Sequence, residues 1–405
     1  MIARYNLPKK VIFCKLCLMS NQRPSSIPEF KHTIDRKGAK YLKINNDGIC
    51  DACFQNSNKK KIDWEKREQE LLSLLNKYRK NNGEYDCIVP GSGGKDSAYQ
   101  AHILKYKYKM NPLVITWAPI LYTEYGLENY NNWIDKGGFD GIVIRPSGKT
   151  MKELTKLSIT NLLHPFQTFI LGQKNLAPKI AAQFGISLVF YGENEAEYGN
   201  PIAENSDSLR KKSYFTMKNY KDIYLAGIKL KDLITKYKFN FSDLKIFLPA
   251  TLKEIKKTKL EIHYLGYYLK WVPQEAYYYA VKNCGFKPRP LRTQGTYSKY
   301  SSIDDKIDDL HYYTTFIKYG IGRATYDASQ EIRNKHLTLE EGKILVKKYD
   351  GEFPDRYFND IMQHLEMKRD DFFKITDKFR SPHLWKKYKG KWKLRHTANK
   401  DGLDD

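Results

Sequence analysis

Along the chain, short blocks in which nearly every position is apolar alternate with longer blocks in which apolar residues return every three or four positions. The short blocks are Cys87-Ile88-Val89, NPLVITWAP (111–119), DGIVIRP (140–146) and ISLVFYGE (186–193), and their length and apolar character predict strands, NPLVITWAP a buried one. Between them the spacing is helical: Ala98, Ala101, Ile103 and Leu104 after the first block, YGLENYNNWIDKGG (125–138) after the second, and HPFQTFILGQKNLAPKIAAQFG (164–185) before the fourth. The last of these predicts a helix broken around Pro178, whose ring and missing N–H interrupt the ladder. Strand–helix alternation of this kind predicts a doubly wound parallel α/β sheet. Ligands then sit at the carboxyl ends of the strands, in the loops after Val89, Trp117, Ile144 and Tyr191.

Flanking segments read differently. IDWEKREQELLSLLNKYRKNNG (62–83) predicts a helix capped by Asp63, with Trp64, Leu71, Leu74, Leu75 and Tyr78 on one face and Gly83 at its end. Residues 206–259 predict helices with charged, solvated faces, inserted after the fourth strand. SIDDKIDDLHYYTTFIKYGIG (302–322) predicts a helix pairing Asp304 with Asp308 and Asp305 with Asp309 on shared faces. The tail KKYKGKWKLRHTANKDGLDD (386–405) is basic, then acidic, and is expected to fray. The division that follows is a module over 1–60, an α/β domain over 61–205, and a mostly helical region over 206–405.

Composition adds limits. The chain has 405 residues, 41% hydrophobic and 29% charged, a globular balance far from disordered or membrane-spanning compositions. No apolar run approaches the roughly 20 residues of a bilayer span, and MIARYNLPKK lacks the apolar core of a signal peptide, so a cytoplasmic location is expected. The net charge of +24 invites a nucleic-acid partner. The lysines are spread over the whole length, however, which argues for compositional bias and for attraction of polyanionic substrates in general.

Cys14 and Cys17 form one C-x2-C pair and Cys50 and Cys53 another, leaving only Cys87 and Cys284 elsewhere. Without an export signal, two such pairs point to a closed four-thiolate zinc site of structural type, with an iron–sulfur cluster or redox pairs as alternatives. Among the histidines, His102, His164, His263 and His311 show no metal-ligand spacing and none is nominated.

The richest segment is EYDCIVPGSGGKDSAYQAHILKY, a strand, a glycine loop and a helix. Glycines let the backbone approach an anion, the helix N-terminus offers unpaired N–H groups, and Ser92, Lys95 and Ser97 add donors, so the loop is expected to bind phosphate. It fits neither GxxxxGK[ST] nor GxGxxG. Past the fourth strand, Glu193, Glu195 and Glu197 gather three carboxylates, which favours a cation or amine opposite them, with a solvated acidic turn as the plain alternative. Glu193 and Asn194 are the candidates there.

Ser92 to Ser97 resembles SGGxDS, the signature of the ATP pyrophosphatase (PP-loop) superfamily. The paired CxxC, PGSGGKDS, GQKNLAPKIAAQFGISLVFYGENEAEYGNP, HYLGYYLKWVPQEAYYYA and RTQGTYSKYSSIDDKIDDLHYYTTFIKYGIGRATYDASQEIRNKH together are similar to the N-acetyl sugar amidotransferase family of lipopolysaccharide and pseudaminic or legionaminic acid biosynthesis. The resemblance covers roughly residues 10 to 355. It implies ATP cleavage to AMP and pyrophosphate and conversion of a sugar acetamido group to an acetamidino group. It also implies Mg2+ with the ATP, a nucleotide-activated sugar as substrate, and ammonia from a separate glutaminase of the imidazole glycerol phosphate synthase type. Lys95, Asp96 and Ser97 are then the expected catalytic residues, with Ser92, Gly93, Gly94, Trp117, Glu193 and Asn194 beside them on the nucleotide. Arg292, Tyr297, Lys299, Asp304, Asp305, Arg323 and Asp327 are expected to hold the sugar. A tRNA-modifying PP-loop enzyme is the competing reading, weakened because sulfur transfer wants two thiols near the loop.

Overall fold

The computed structural model describes residues 2–36, 38–193, 195–200, 207–217 and 219–405. Five strands, β1 (Cys87–Pro90), β2 (Pro112–Trp117), β3 (Asp140–Ile144), β4 (Leu188–Tyr191) and β5 (Glu261–Tyr264), form one sheet in the order β3-β2-β1-β4-β5. Every pairing in it is parallel. The predicted α/β class is what the chain adopts. Alternate residues serve opposite faces, as the twofold period of a strand requires. Ile88, Leu113, Ile115, Trp117, Val189 and Ile262 bury one face against α5 (Gly148–Leu162) and α6 (Gln167–Phe184). Cys87, Val89, Val114, Leu188 and Phe190 bury the other against α2 (Trp64–Tyr78), α3 (Lys95–His102), α4 (Glu124–Asp135) and α7 (Pro273–Cys284). The short helix α1 (Asp51–Lys59) belongs to the amino-terminal module.

The chain winds outward from β1 to β2 and β3, then returns across β1 to β4 and β5, so the order reverses between β1 and β4. That switch point opens a crevice at the carboxyl ends of those two strands.

Several expectations need correcting. Helix α6 runs unbroken through Pro178, because the carbonyl that proline leaves without a partner, that of Lys174, accepts a hydrogen bond from the Tyr191 hydroxyl at 3.2 Å. Residues 207–260 are a cover rather than a set of solvated helices: Phe215, Leu225, Leu233, Phe247 and Leu248 join the core of the α5–α6 face. The tail does not fray. Trp385–Tyr388 and Lys391–Leu394 pair as an antiparallel hairpin, anchored by the buried Trp385, whose indole donates to the Ile317 carbonyl at 2.8 Å.

The carboxy-terminal region is helical, with α8 (Ile307–Tyr319), α9 (Arg323–Arg333), α10 (Leu339–Tyr349), α11 (Asp355–His364) and α12 (Arg369–Phe379). Helix α8 begins only at Ile307, so Asp304 and Asp305 precede it and share no helical face with Asp308 and Asp309.

Candidate functional site

The loop after β1 is fixed to the sheet before it reaches α3. Gly91 N–H donates to the Ile115 carbonyl at 2.9 Å, and Thr116 Oγ1 donates to the Gly91 carbonyl at 2.7 Å. Gly93 sits at φ +83°, and a Cβ there would lie 2.7 Å from the Tyr130 Cα, so both conformation and space demand glycine. Gly94 caps α3, with Ser97 Oγ donating to its carbonyl at 3.0 Å. Lys95 is almost wholly buried, its Nζ 2.5 Å from Asp96 Oδ2.

Two cavities meet at this loop. One, of about 360 Å³, lies at the switch point and is lined by Ile115, Trp117, Leu176, Tyr191 and Gly192 together with Gly91 and Ser97. The other, of about 410 Å³, is more polar and is lined by Arg23, Tyr297, Asp304, Arg323, Asp327 and Arg333, among others. Ser92, Gly94, Asp96, Glu193 and Tyr198 line both. The loop and the turn after β4 are therefore the partition between a chamber with more apolar wall and a more heavily charged one.

Of the three carboxylates past β4, two have partners supplied by the protein. Glu195 pairs with Arg210, and Glu197 with Lys59 Nζ at 2.9 Å. Glu193 forms no ion pair among the described residues. Burial, and next the negative charge of Asp96, push its carboxyl up to about 7. Asp96 Oδ1 is buried without a partner. A carboxyl from the loop after β1 and one from the turn after β4, both lining the two cavities, suit a hard divalent cation with oxygen ligands. Asn194 lies outside the described residues.

The structure divides the expected sugar-binding residues. Tyr297, Asp304, Arg323 and Asp327 line the larger cavity. Arg323 Nε meets Asp327 Oδ1 at 2.8 Å, so the fork is half engaged within its own helix. Arg292, Lys299 and Asp305 are not brought to the cavity. Arg292 is bound through both terminal nitrogens to Glu352, each at 2.6 Å, and Lys299 points to solvent. Asp305 is turned inward, where the amides of Ile120, Leu121 and Ile307 donate to its carboxylate, a clamp that ties the loop after β2 to the start of α8.

Sequence reasoning missed Arg23 and Arg333, each with a buried guanidinium nitrogen lacking a partner, Nε and Nη1 respectively, and both on the cavity wall. It also missed Tyr198. No local pattern marks these residues, since the wall joins segments some 300 positions apart in the chain.

The four cysteines come together from two turns. All four sulfurs lie within 4.8 Å of one another, with Cys17 and Cys50 at 3.5 Å and Cys14 and Cys53 at 3.8 Å. A tetrahedral ion with bonds of about 2.3 Å needs sulfur separations of about 3.8 Å, so the set fits zinc closely. The module is sewn into the cavity wall: Ser329 Oγ on α9 donates to the Cys17 carbonyl, and Asn56 Nδ2 donates to the Arg333 carbonyl at 2.8 Å.

Residues 294–398 match the family described as the C-terminal domain of WbpG-like lipopolysaccharide biosynthesis proteins. This falls on the long carboxy-terminal block and bears out the resemblance read there. An uncharacterized protein of Methanocaldococcus jannaschii is 39% identical over 74 residues, which cover 18% of this chain and 26% of the relative. The NH3-dependent NAD synthetase of Campylobacter jejuni, solved with a nitrate ion, aligns at 19% identity and a TM-score of 0.28, covering 49% of this chain and 95% of that one.

Proposed function

We propose that this chain is an ATP-dependent amidotransferase of surface-polysaccharide biosynthesis, converting the acetamido group of a nucleotide-activated sugar to an acetamidino group with ammonia from a partner glutaminase. One observation carries the reading: the phosphate loop is the shared wall of two cavities. A nucleoside in the more apolar chamber beside Trp117 would present its α-phosphate through the loop to an acceptor in the more charged chamber. The family match over 294–398 supports an acceptor of the lipopolysaccharide class, because those residues supply much of the second chamber's wall.

The chemistry suits the residues. An amide oxygen leaves poorly. Attack of that oxygen on the α-phosphorus releases pyrophosphate and gives an imidate–AMP, and ammonia then adds to the carbon and expels AMP carrying the oxygen. Lys95, Ser92, Ser97 and the loop amides would stabilise charge on the departing pyrophosphate. Asp96 and Glu193 are the residues suited to hold Mg2+, which when bound neutralises phosphate charge. Zinc held by Cys14, Cys17, Cys50 and Cys53 would be structural, with no open position. Among the described residues no helix is long and apolar enough to cross a membrane.

The test is incubation with ATP, an ammonium salt and nucleotide-activated acetamido sugars. AMP, pyrophosphate and a product with nitrogen in place of the amide oxygen are expected, and Lys95→Ala or Asp96→Ala should abolish AMP release. Release of ADP, full activity in either variant, or AMP formation that depends on tRNA would overturn the proposal.

A further inference from the structure

A third cavity, of about 230 Å³, lies apart from the phosphate loop and is lined by Glu29, His32, Arg36, His164, His311 and Lys318, among others. Its histidines come from three separate parts of the chain. Glu29 and His32 flank a single 3-10 turn in the amino-terminal module. His164 follows Leu163, the left-handed residue that ends α5. His311 stands on α8, its ring stacked on that of His164 with centroids 4.9 Å apart. Nothing in the linear spacing of these residues suggests a common site.

Each of the three rings has one buried nitrogen without a partner. His32 is 1% exposed, its Nδ1 is 3.3 Å from Glu29 Oε2, and its Nε2 is buried with no hydrogen bond. A neutral imidazole keeps one lone pair, on whichever ring nitrogen carries no proton, and can offer it to a metal. His164 Nδ1 and His311 Nδ1 are likewise buried and unpartnered. Native interiors leave few such atoms unsatisfied, and three of them stand around one small chamber.

Glu29, His32 and His164 each offer one ligand atom, and these atoms lie within 4.8 Å of one another. Three atoms spaced at most 4.8 Å apart all lie within about 2.8 Å of a common point, so bonds of about 2.0–2.2 Å require each side chain to close by less than about 1 Å. The two cationic side chains on the wall are engaged elsewhere. Arg36 donates to the Tyr319 hydroxyl at 3.2 Å and to the Ser25 carbonyl at 3.3 Å, and Lys318 Nζ donates to the Leu162 carbonyl at 2.7 Å. We propose that Glu29, His32 and His164, with His311 beside them, form a second divalent transition-metal site of the zinc class, distinct from the four cysteines. Two imidazoles and one carboxylate leave a position facing the open volume, the pattern of a zinc centre that accepts a further ligand.

The experiment is a metal count on the full chain, equilibrated with zinc and desalted, by elemental mass spectrometry. Two zinc ions per chain are expected for the wild type, one for His164→Asn and Glu29→Gln, and one for Cys17→Ser, whose remaining zinc disappears when His164→Asn is added. Cobalt loading of the wild type gives a reading that needs no variant: thiolate-to-cobalt charge-transfer bands should accompany a second, weaker set of bands from a nitrogen and oxygen environment, and His164→Asn should remove only the second set. One zinc per wild-type chain, a cobalt spectrum of thiolate bands alone, or two zinc ions retained by His164→Asn would overturn the proposal.

Discussion

Replacing Gly93 with alanine tests the geometry of the phosphate loop against that of its neighbour. At Gly93 the backbone sits at φ +83°, and an added Cβ would lie 2.7 Å from Tyr130 Cα and 2.8 Å from the Asn129 carbonyl oxygen, both main-chain atoms of α4 that cannot swing aside. The left-handed conformation costs a non-glycine residue about 1–2 kcal/mol, and overpacking against a fixed backbone adds about 1–3 kcal/mol. A loss of about 3 kcal/mol corresponds to a fall in Tm of roughly 6–12 °C for a domain of this size. Any part of the strain relieved by moving the loop should reappear as a higher KM for ATP. At Gly94 the same methyl meets nothing nearer than Ser92 Oγ at 3.7 Å, in an ordinary backbone conformation. Gly94→Ala should therefore unfold within about 2 °C of the wild type. Thermal unfolding followed by circular dichroism, with ATP KM measured on both variants, decides the matter. If Gly93→Ala matches the wild type in both measurements, or if Gly94→Ala is equally destabilised, the placement of the loop against α4 is wrong.

Three further outcomes follow from groups described above. Glu193 has its carboxyl raised to about 7 by burial and by Asp96, so the stability it contributes is fully present below its unfolded-state pKa and is lost as pH rises through about 7; Glu193→Gln should gain stability over the wild type in urea unfolding at pH 8, with the difference vanishing near pH 4, while AMP release falls. Arg210→Gln leaves the Glu195 carboxylate buried without its partner and should cost about 3–5 kcal/mol by urea unfolding, whereas a loss under 1 kcal/mol would show the pair to be solvated. On the proposed function, stripping metal from the cysteines with a chelator should raise the KM for the acceptor well before that for ATP, because Met19 and Arg23 of the module line the larger cavity and not the one beside Trp117; equal effects on both would contradict that arrangement.

What could be read from the chain was whatever local chemistry enforces. The apolar blocks of β1, β2 and β4 had to be buried strands, and the glycines of Gly91 to Ser97 had to turn the chain tightly from strand into helix. The two C-x2-C turns had to meet. What could not be read depends on partners distant in sequence. Pro178 stays within a helix because Tyr191, on β4, satisfies the carbonyl it frees. Asp305 looked like a ligand-binding acid because its real partners, the amides of Ile120 and Leu121, lie about 185 residues earlier. The tail pairs because Trp385 finds a slot against α8, which no property of a Lys-rich segment foretells. His32 and His164 belong to one chamber only through the packing of three separate segments.

The bond from Ser329 to the Cys17 carbonyl spans 312 residues, and it sets a schedule for biogenesis. At about 5–20 residues per second, the amino-terminal cysteines leave the ribosome roughly 15–60 s before α9 exists to cover them. For that interval the four thiols lack the α9 contact that covers them, and the larger cavity lacks the wall that α9 supplies. A nascent chain halted before Arg323 would therefore carry the complete glycine loop and only part of the larger cavity's wall.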